Sequence, residues 1–531
     1  MKFIDFDKTE VYRDLQKISS SFKKFDFTSQ LSASRVEKCR TPMAAGLGYS
    51  WAAKQVDDGV LKLLQNLADE QELIGKYRAL LEGEPMNTGE NRKVLHHLLR
   101  GAEGKSVTGK SVIDGDRDIG DFYRKERDRV SAFAEAVHGG SILGSTGKPF
   151  RAVVQIGIGG SDLGPRALYL ALEQWAAKEG RQKMKAFFIS NVDPDDASAV
   201  CAALSLEETL FILVSKSGVT QETLANELFV KQKLGQAGLD PAKHMVAVTS
   251  ETSPLAHNPA ALDSFYIDDF IGGRYSSSSA VGGVILSLAF GPGVFRDFLG
   301  GAAESDRLAL EEDILKNAAL LDALIGVWER NFLMFPYTAV LPYSQALSRF
   351  PAHLQQLDME SNGKRVNRNG QAVAYATGPV VFGEPGTNGQ HSFYQLLHQG
   401  TDVVPLQFIG FMDSQRGDDI EAEGSSSQKK LKANLAAQIV AFAKGKADEN
   451  RNREFPGGRP SSLIFGGRLE PASLGALLAH YENKVMFQGF VWNINSFDQE
   501  GVQLGKVLTK RVLANQFGDP ALGAFAKLLG I

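Results

Sequence analysis

Cysteine is scarce in this chain, which has two, Cys39 and Cys201, in 531 residues. The two lie far apart and belong to no pattern with the spacing of metal ligands, so neither a disulfide framework nor a zinc site is predicted. We therefore expect both thiols to be reduced. No metal ion or other cofactor is predicted.

Long apolar runs and an excess of charge of one sign are also missing. No stretch contains eighteen consecutive apolar residues, and the first residues, MKFIDFDKTEVYRD, lack the basic and apolar segments of a signal peptide. The 58 basic and 62 acidic residues give a net charge of −4, which offers no electrostatic footprint for nucleic acid or an anionic membrane. We expect a cytoplasmic protein that binds a small molecule, and neither nucleic acid nor a membrane.

The length of the chain predicts more than one domain, because 531 residues with 43% hydrophobic composition exceed what a single core accommodates. Residues 1–145 are predicted to be mostly helical, since segments such as VDDGVLKLLQNLADEQEL place apolar residues three and four positions apart. His96 and His97 in this region are expected to lie on a packing or solvent face, without a catalytic role.

From Arg151 onwards the pattern alternates between strands and helices. One series of strands is AVVQIGIGG, KAFFIS, TLFILVS and HMVAVTS, the last of which is expected to close it; a second contains PYTAVLPYS, VVPLQFIGF and SSLIFGG. Apolar strands separated by helices predict an α/β fold with two αβα sandwich domains and parallel sheets. We assign these domains to residues 146–292 and 293–512, followed by a C-terminal arm, 513–531. SSSQKK at 425–430 is predicted to be a solvated turn.

Two loops that follow predicted strands, GIGGSDLG and SKSGVT, carry small residues and hydroxyls. The first is no dinucleotide loop, because GxGxxG requires a glycine where Asp162 stands, and neither loop contains a Walker A pattern. Both are expected at the carboxyl ends of parallel strands beside helix N-termini, an arrangement that suits one phosphate group. Ordinary helix capping is the alternative for any single hydroxyl. The candidate donors are Ser161, Ser215, Ser217, Thr220 and Thr223.

The segment QLDMESNGK is expected to place a carboxylate at the end of a helix. Phe350, Leu354 and Leu357 have helical spacing, and Gly363 can end the helix with a positive φ, so Glu360 falls near the C-terminal end. By itself this pattern is also typical of a solvated helix terminus.

The segment GEPGTNGQHSFYQLLHQG contributes a histidine. A loop with three glycines and a proline precedes His391, which is expected to open an amphipathic segment that ends at Gly400. A lone histidine at such a place is commonly a polar surface residue. Together with Glu360, however, it gives the carboxylate and imidazole of a proton-transfer enzyme.

These two segments resemble the signature segments of the glucose-6-phosphate isomerase family, also called phosphoglucose isomerase. GIGGSDLGPRAL, SKSGVTQET, FIGGRYSSSSAVGG and the stretch SLGALLAHYENKVMFQGFVWNINSFDQEGVQLGKVL resemble further family segments, and the likeness covers roughly residues 83–510. It implies a duplicated sugar-isomerase (SIS) fold, a homodimer, and reversible isomerisation of glucose 6-phosphate and fructose 6-phosphate through a cis-enediol. That reaction belongs to glycolysis and gluconeogenesis and needs no metal.

The resemblance also implies a role for each matching residue. Glu360 would move a proton between C2 and C1, Arg274 would stabilise the enediolate, and His391 with Lys506 would open the sugar ring. Glu222 would orient His391, which in the family reaches its site from the neighbouring subunit. The residues expected to bind substrate are Gly160, Ser161, Ser215, Lys216, Ser217, Thr220, Thr223, Gly273, Gln356 and Gln499.

This chain departs from the family pattern in the second loop, at Ser277 and Ser278, and at Gly458, where the family usually has asparagine, and two alternative functions accompany the interpretation. The family often has Thr-Phe-Thr-Thr after the Ser-Lys of the second loop, and the Ser-Gly-Val of residues 217–219 lacks one of those hydroxyls. A phosphosugar-sensing module would keep the loops but lack Glu360, His391 and Lys506 together, and all three are present. A different phosphosugar isomerase with the same fold stays open.

Overall fold

Helices and strands alternate along most of the chain in a computed structural model that describes residues 1–22, 25–258 and 261–531. Among these residues the helices are α1 (Glu10–Phe22), α2 (Phe27–Gln30), α3 (Ala33–Lys38), α4 (Asp58–Glu70), α5 (Leu73–Leu81), α6 (Ile119–His138), α7 (Leu163–Lys178), α8 (Pro194–Ala202), α9 (Gln221–Gln236), α10 (Ala280–Phe290), α11 (Pro292–Leu308), α12 (Ala318–Asn331), α13 (Phe350–Gln355), α14 (Tyr394–Gln399), α15 (Ser427–Lys444), α16 (Pro471–Val491), α17 (Gln503–Leu513) and α18 (Pro520–Leu528). The strands are β1 (Arg40–Pro42), β2 (Gly48–Ser50), β3 (Ile113–Asp114), β4 (Arg117–Asp118), β5 (Ala152–Ile156), β6 (Lys185–Ile189), β7 (Thr209–Val214), β8 (Met245–Thr249), β9 (Ser264–Tyr266), β10 (Tyr337–Tyr343), β11 (Val380–Phe382), β12 (Leu406–Phe411), β13 (Glu421–Ala422), β14 (Ser425–Ser426) and β15 (Ser461–Gly466).

The first sheet is parallel throughout, with the strand order β6-β5-β7-β8-β9. Val153 and Leu210 belong to one hydrophobic core, whereas their neighbours Val154 and Phe211 belong to a second, so helices cover both faces. The prediction that HMVAVTS closes the series is wrong, because β9 adds a further strand. Its three residues are too few to show a pattern in the sequence.

The second sheet has the order β1-β2-β15-β12-β10-β11. The strands from β15 to β11 are parallel, while β2 joins β15 in an antiparallel pairing and brings β1 with it. The mostly helical N-terminal region therefore supplies an antiparallel edge that the sequence did not indicate. The α/β fold with two largely parallel sheets is confirmed, and the domain boundaries stay a prediction.

Helix α16 forms the centre of the packing and is buried along its whole length. It packs mainly against α11 and α12. Although it is enclosed on all sides, it carries buried polar side chains, among them Lys484 and Gln488. The chain that leaves α16 passes through the buried stretch 492–497 before it reaches the surface. That stretch brings the following residues, including Gln499, to the candidate site.

Three local predictions need correction. SSSQKK is not a turn: Ser426 is the N-cap of α15, and its hydroxyl accepts a hydrogen bond from the Lys429 N–H. Gly363 does not have a positive φ; a side chain there would clash with the carbonyl oxygen of Met359, to which Gly363 N–H donates at 3.0 Å. His391 ends a short 3₁₀ turn, and α14 begins three residues later.

Three further observations concern features considered above. Cys39 and Cys201 are both buried, and neither is in a disulfide. Within the described residues, no helix is both long and apolar enough to cross a membrane. His96 and His97 are buried as well, on a packing face.

Candidate active site

The two hydroxyl loops lie side by side at the carboxyl ends of β5 and β7, which are paired neighbours. The Ser215 and Thr220 hydroxyl oxygens are 3.0 Å apart, and Ser215 Oγ accepts a bond from Gly218 N–H at 3.1 Å. Thr220 occupies the N-cap position of α9, yet its hydroxyl makes no capping bond. Helix capping therefore does not account for Thr220. Ser161 ends the 3₁₀ turn of the other loop and is half-buried.

The remaining candidates of the second loop differ in exposure. Thr223 is buried, and its hydroxyl has no hydrogen-bond partner among the described residues. Lys216 is half-buried, and its ammonium donates to the Ile271 carbonyl at 3.1 Å. Burial lowers the pKa of Lys216. Ser217 is exposed, and Glu222 lies half-buried in the first turn of α9.

Arg274 is brought to the first loop by contact between two glycines. A side chain on Gly160 would clash with the backbone of Gly273, so the two backbones can approach this closely only without one. The 3₁₀ turn Gly273–Ser278 then carries the arginine into the interior. The Ser276 hydroxyl supports this turn by donating to Gly273 O at 2.7 Å.

The Arg274 guanidinium links three segments of the chain and is only 1% exposed. Its Nε donates to Ser361 Oγ at 2.6 Å, and its Nη2 donates to the carbonyl oxygens of Ser496 and Asp498 at 2.7 and 3.0 Å. Its Nη1 lies 3.6 Å from Glu360 Oε2. A cation is thus fixed beside the candidate base by bonds that leave it little freedom.

Glu360 faces a cleft of about 880 Å³, which Gln356 and Gln499 also line. Gln356 and Glu360 begin and end a π-helical turn that directly follows α13, and such turns occur frequently at functional sites. The Gln499 side-chain oxygen lies 3.4 Å from Arg274 Nη1. Gln356 also lies close to Gly159, because its amide nitrogen is 3.4 Å from where a β-carbon on that glycine would stand. Gln356 therefore connects the cleft to the first hydroxyl loop.

His391 and Lys506 are not joined to this group of residues. His391 is exposed at the end of its 3₁₀ turn, and Lys506 is exposed on α17, which has no buried residue. Across the described chain, no hydrogen bond or ion pair connects either side chain to Glu360, Arg274 or Glu222. The structure thus assembles the carboxylate, the guanidinium and the hydroxyl loops, but not the two candidates for ring opening.

The chemistry available at the cleft is proton transfer beside a fixed positive charge. Glu360 can accept and return a proton, and Arg274 can stabilise an oxyanion that forms next to it. In the part of the chain that the structure describes, no group of three histidine, cysteine or acidic side chains is placed to hold a metal ion.

Known proteins similar to this chain indicate its family. A sequence model described as phosphoglucose isomerase matches residues 50–526. The chain belongs to the phosphoglucose isomerase family. Two curated relatives named glucose-6-phosphate isomerase are each 61% identical: that of Treponema denticola over 534 residues and 100% of both chains, and that of Treponema pallidum over 532 residues, 100% of this chain and 99% of the relative. A crystal structure of a glucose-6-phosphate isomerase from Chlamydia trachomatis is 42% identical, with a TM-score of 0.92 and 99% coverage of each chain. The resemblance inferred from the motifs is confirmed.

Within this member of the phosphoglucose isomerase family, three supporting residues escaped the sequence analysis. The Ser361 hydroxyl accepts from Arg274 and lies 2.9 Å from the Tyr275 hydroxyl. Lys364 and Asp498 form an ion pair of 2.5 Å in the wall of the cleft. All three stand inside the motifs quoted above, so the signal was present, but their partners come from distant parts of the sequence.

Proposed function

We propose that this chain catalyses the reversible isomerisation of glucose 6-phosphate and fructose 6-phosphate, a step of glycolysis and gluconeogenesis. The observation that carries the proposal is the Glu360 carboxylate, 3.6 Å from the Arg274 guanidinium, in a cleft whose wall residue Gln356 approaches Gly159 of the first hydroxyl loop. Relatives 61% identical over the whole chain are named glucose-6-phosphate isomerase, which supports the same substrate pair.

The proton-transfer step uses Glu360 as the base. Starting from the open-chain aldose, its carboxylate takes the proton from C2, the C2–H electron pair forms a C1–C2 double bond, and the carbonyl oxygen O1 becomes the enediolate oxygen. Arg274 stabilises this negative charge. The enediolate passes through the cis-enediol when O1 gains a proton and O2 loses one, which moves the negative charge to O2. Glu360 then returns its proton to C1 while the O2 electron pair forms the C2 carbonyl and the C1–C2 double bond is used for the new C1–H bond, which leaves the ketose. One carboxylate serves both carbons because they are adjacent and it has two oxygens.

The hydroxyl loops bind the phosphate in this proposal. Ser161, Ser215, Ser217, Thr220 and Thr223 donate hydrogen bonds to it. Lys216 supplies positive charge, and backbone N–H groups at the start of α9 face the same place. The unpaired hydroxyl of Thr223 supports this assignment, since a buried donor without a partner is rare. Contacts to the sugar come from Gly160, Gly273, Gln356 and Gln499.

Ring opening requires proton transfer to and from the ring oxygen, which we assign to His391 with Lys506. Histidine titrates near neutral pH and suits this step. Because His391 is exposed and makes no contact with Glu360 in its own chain, we infer that it completes the site of a second copy. Glu222 of that copy would orient it.

A homodimer is therefore part of the proposal. The C-terminal arm and the helix before it expose large apolar side chains, which isolated soluble chains seldom show in such density. They include Leu504, Val507, Leu513, Phe525 and Leu528. An isologous contact would cover this surface and build two equal sites. The cytoplasmic location expected from the sequence fits the substrates, which are intermediates of central metabolism.

The purified chain tests this function when it is given fructose 6-phosphate in deuterated water without added metal. We expect glucose 6-phosphate with deuterium at C2, because the proton on Glu360 exchanges with solvent. Fructose without phosphate is the control and should react far more slowly. Turnover of other sugar phosphates in preference to this pair would instead assign the chain to a different phosphosugar isomerase.

A further inference from the structure

A buried polar chamber lies behind the turn that carries Glu360. We define it by Asp358, Gln407, Lys484 and Gln488, which line a cavity of about 20 Å³; the first three also line an adjoining cavity of the same size. Asp358 belongs to the same π-helical turn as Glu360, but it is 8% exposed and is not among the residues that line the cleft. Each cavity has room for about one water molecule.

Three oxygen atoms in the polar chamber lack a hydrogen-bond partner among the described residues: Asp358 Oδ1, Gln407 Oε1 and Gln488 Oε1. The amide nitrogens of the two glutamines are already committed. Gln407 Nε2 donates to Asp322 Oδ2 at 2.7 Å, and Gln488 Nε2 donates to Ala323 O at 3.4 Å. Both amides are thereby oriented so that their oxygens remain as acceptors. Buried acceptors of this kind are normally satisfied.

Lys484, which lines both cavities, is a source of donors. Its ammonium carries three N–H groups, of which one is directed to Asp322 Oδ2 at 3.0 Å. No ion pair within 4.0 Å joins Lys484 to Asp358 in the described residues, although both line the two cavities. The free N–H groups and the free carboxylate oxygen are therefore separated by space that no side chain fills.

A water molecule matches this set of groups. It can accept a hydrogen bond from Lys484 and donate one each to Asp358 Oδ1 and Gln407 Oε1. A second water, in the cavity that Gln488 lines, can donate to Gln488 Oε1 and to the first water, so that all three oxygens are satisfied and Gln488 supports the water at Asp358. A metal cation fits less well, because Lys54 and Lys484 already bring two ammonium groups to the same cavity. Burial raises the pKa of Asp358 to about 6, and the positive charge of Lys484 opposes this shift. Hydrogen-bond donors such as water would stabilise the charged carboxylate further.

We propose that the polar chamber binds internal water and that Asp358 is a positioning residue, which anchors the π-helical turn through this water and so holds Glu360 beside Arg274. The kinetic part of this inference rests on the proposed isomerase function; the water site does not. The turn is held on its cleft side by the pair of Glu360 and Arg274, at 3.6 Å. Loss of the anchor on the other side would let the carboxylate shift, and a displacement of about 1 Å can lower a rate about a hundredfold.

The water site is tested by a crystal structure of the full chain at a resolution that shows ordered solvent. We expect an electron-density peak about 2.7–3.2 Å from both Asp358 Oδ1 and Lys484 Nζ. In Gln488→Met, which removes one acceptor at similar volume, the water nearest to this side chain should be lost. Asp358 paired directly with Lys484, without a water peak, would overturn the proposal. This readout is independent of whether the chain isomerises sugar phosphates.

The positioning role is tested by comparing Asp358→Leu with Asp358→Asn. We expect Asp358→Leu to lower kcat by about ten- to a hundredfold while KM stays within about twofold, because the base is displaced and phosphate binding is untouched. Asp358→Asn keeps an oxygen acceptor and should restore most of kcat. A folded Asp358→Leu protein with wild-type kcat would overturn the role.

Two further variants keep the test decisive if Asp358→Leu does not fold. Gln488→Met is expected to lower kcat severalfold, and an unchanged kcat would count against the proposal. Gln415→Met is the matched control: this buried glutamine donates to Ala171 O at 2.7 Å and to Leu469 O at 3.0 Å, outside the polar chamber. It should lower thermal stability and leave kcat unchanged. If Asp358 had a purely structural role, Asp358→Leu and Gln488→Met would behave like Gln415→Met: they would lower thermal stability and leave kcat unchanged.

Discussion

The two halves of the candidate site differ in how they are held. Arg274 is 1% exposed and fixed by bonds to two distant segments, and Glu360 lies against it. His391 and Lys506 are exposed side chains without such contacts in the described chain. The folding of one chain therefore brings the candidate base and its counter-charge together, whereas the two candidates for ring opening need a further contact to reach them. We propose that the second subunit makes this contact.

The largest expected effect on activity comes from a substitution in the half of the site formed by Glu360 and Arg274. Glu360→Gln should lower kcat by about two to four orders of magnitude, since the amide keeps the shape but cannot accept a proton. Binding of sugar phosphate should persist, and solvent exchange at C2 should vanish with turnover. Glu500→Gln, in the wall of the same cleft, is the control and should keep near wild-type activity. A Glu360→Gln protein with near wild-type kcat would remove Glu360 as the base.

The second prediction concerns His391 and is tested by mixing subunits that carry different substitutions. Glu360→Gln and His391→Ala chains, each inactive alone, are unfolded and refolded together, and the activity is measured. With random pairing, half of the dimers are mixed. If the site is shared, each mixed dimer has one site with both lesions and one with neither, so about a quarter of wild-type activity should return.

The opposite result is equally informative. If Glu360 and His391 of one chain serve the same site, every site in a mixed dimer carries one lesion and activity stays near zero. Tagged subunits must show that mixed dimers have formed. Their presence without any recovery of activity would mean that His391 acts within its own chain.

A smaller effect is expected at the hydroxyl loops. Ser215→Ala with Thr220→Ala should raise KM for fructose 6-phosphate by about tenfold or more, with little change in kcat. Hydrogen bonds to a charged group are worth about 1.5–3 kcal/mol, and the phosphate is remote from the reacting carbons. Ser250→Ala with Thr252→Ala is the matched control, because these exposed hydroxyls lie 3.1 Å apart without a proposed role. Equal KM values for the two double variants would exclude the loops from phosphate binding.

The smallest effect concerns stability. Gly218 has a φ of +69°, and a side chain there would clash with the Ser253 hydroxyl, whereas Gly238 has a φ of +72° and nothing within 4 Å. Gly238→Ala should cost about 1–2 kcal/mol for the left-handed backbone, and Gly218→Ala should cost more because a clash is added. Urea unfolding compares the two variants. Identical midpoints would mean that the contact with Ser253 is not tight.

The sequence by itself determined the family and the α/β class, and it supplied the candidates for the site. Strands such as β5 and β7 could be recognised as continuous apolar runs in the sequence, because burial on both faces of the sheet leaves few polar positions. Glu360 and Arg274 could be named because they stand in motifs that resemble segments of the family. Short strands such as β9 and β11 could not be found, since three residues show no period.

Tertiary structure decided what depends on contacts between distant segments. The edge formed by β1 and β2 arises because β2 meets β15 more than four hundred residues later. The bonds from Arg274 to Ser361 and Ser496, and the approach of Gly160 to Gly273, have the same long-range origin. Asp358 and Glu360 face opposite environments although only one residue separates them, because the π-helical turn packs between the cleft and the polar chamber. Such placement depends on which surfaces meet when the chain folds, and local sequence patterns do not contain that information.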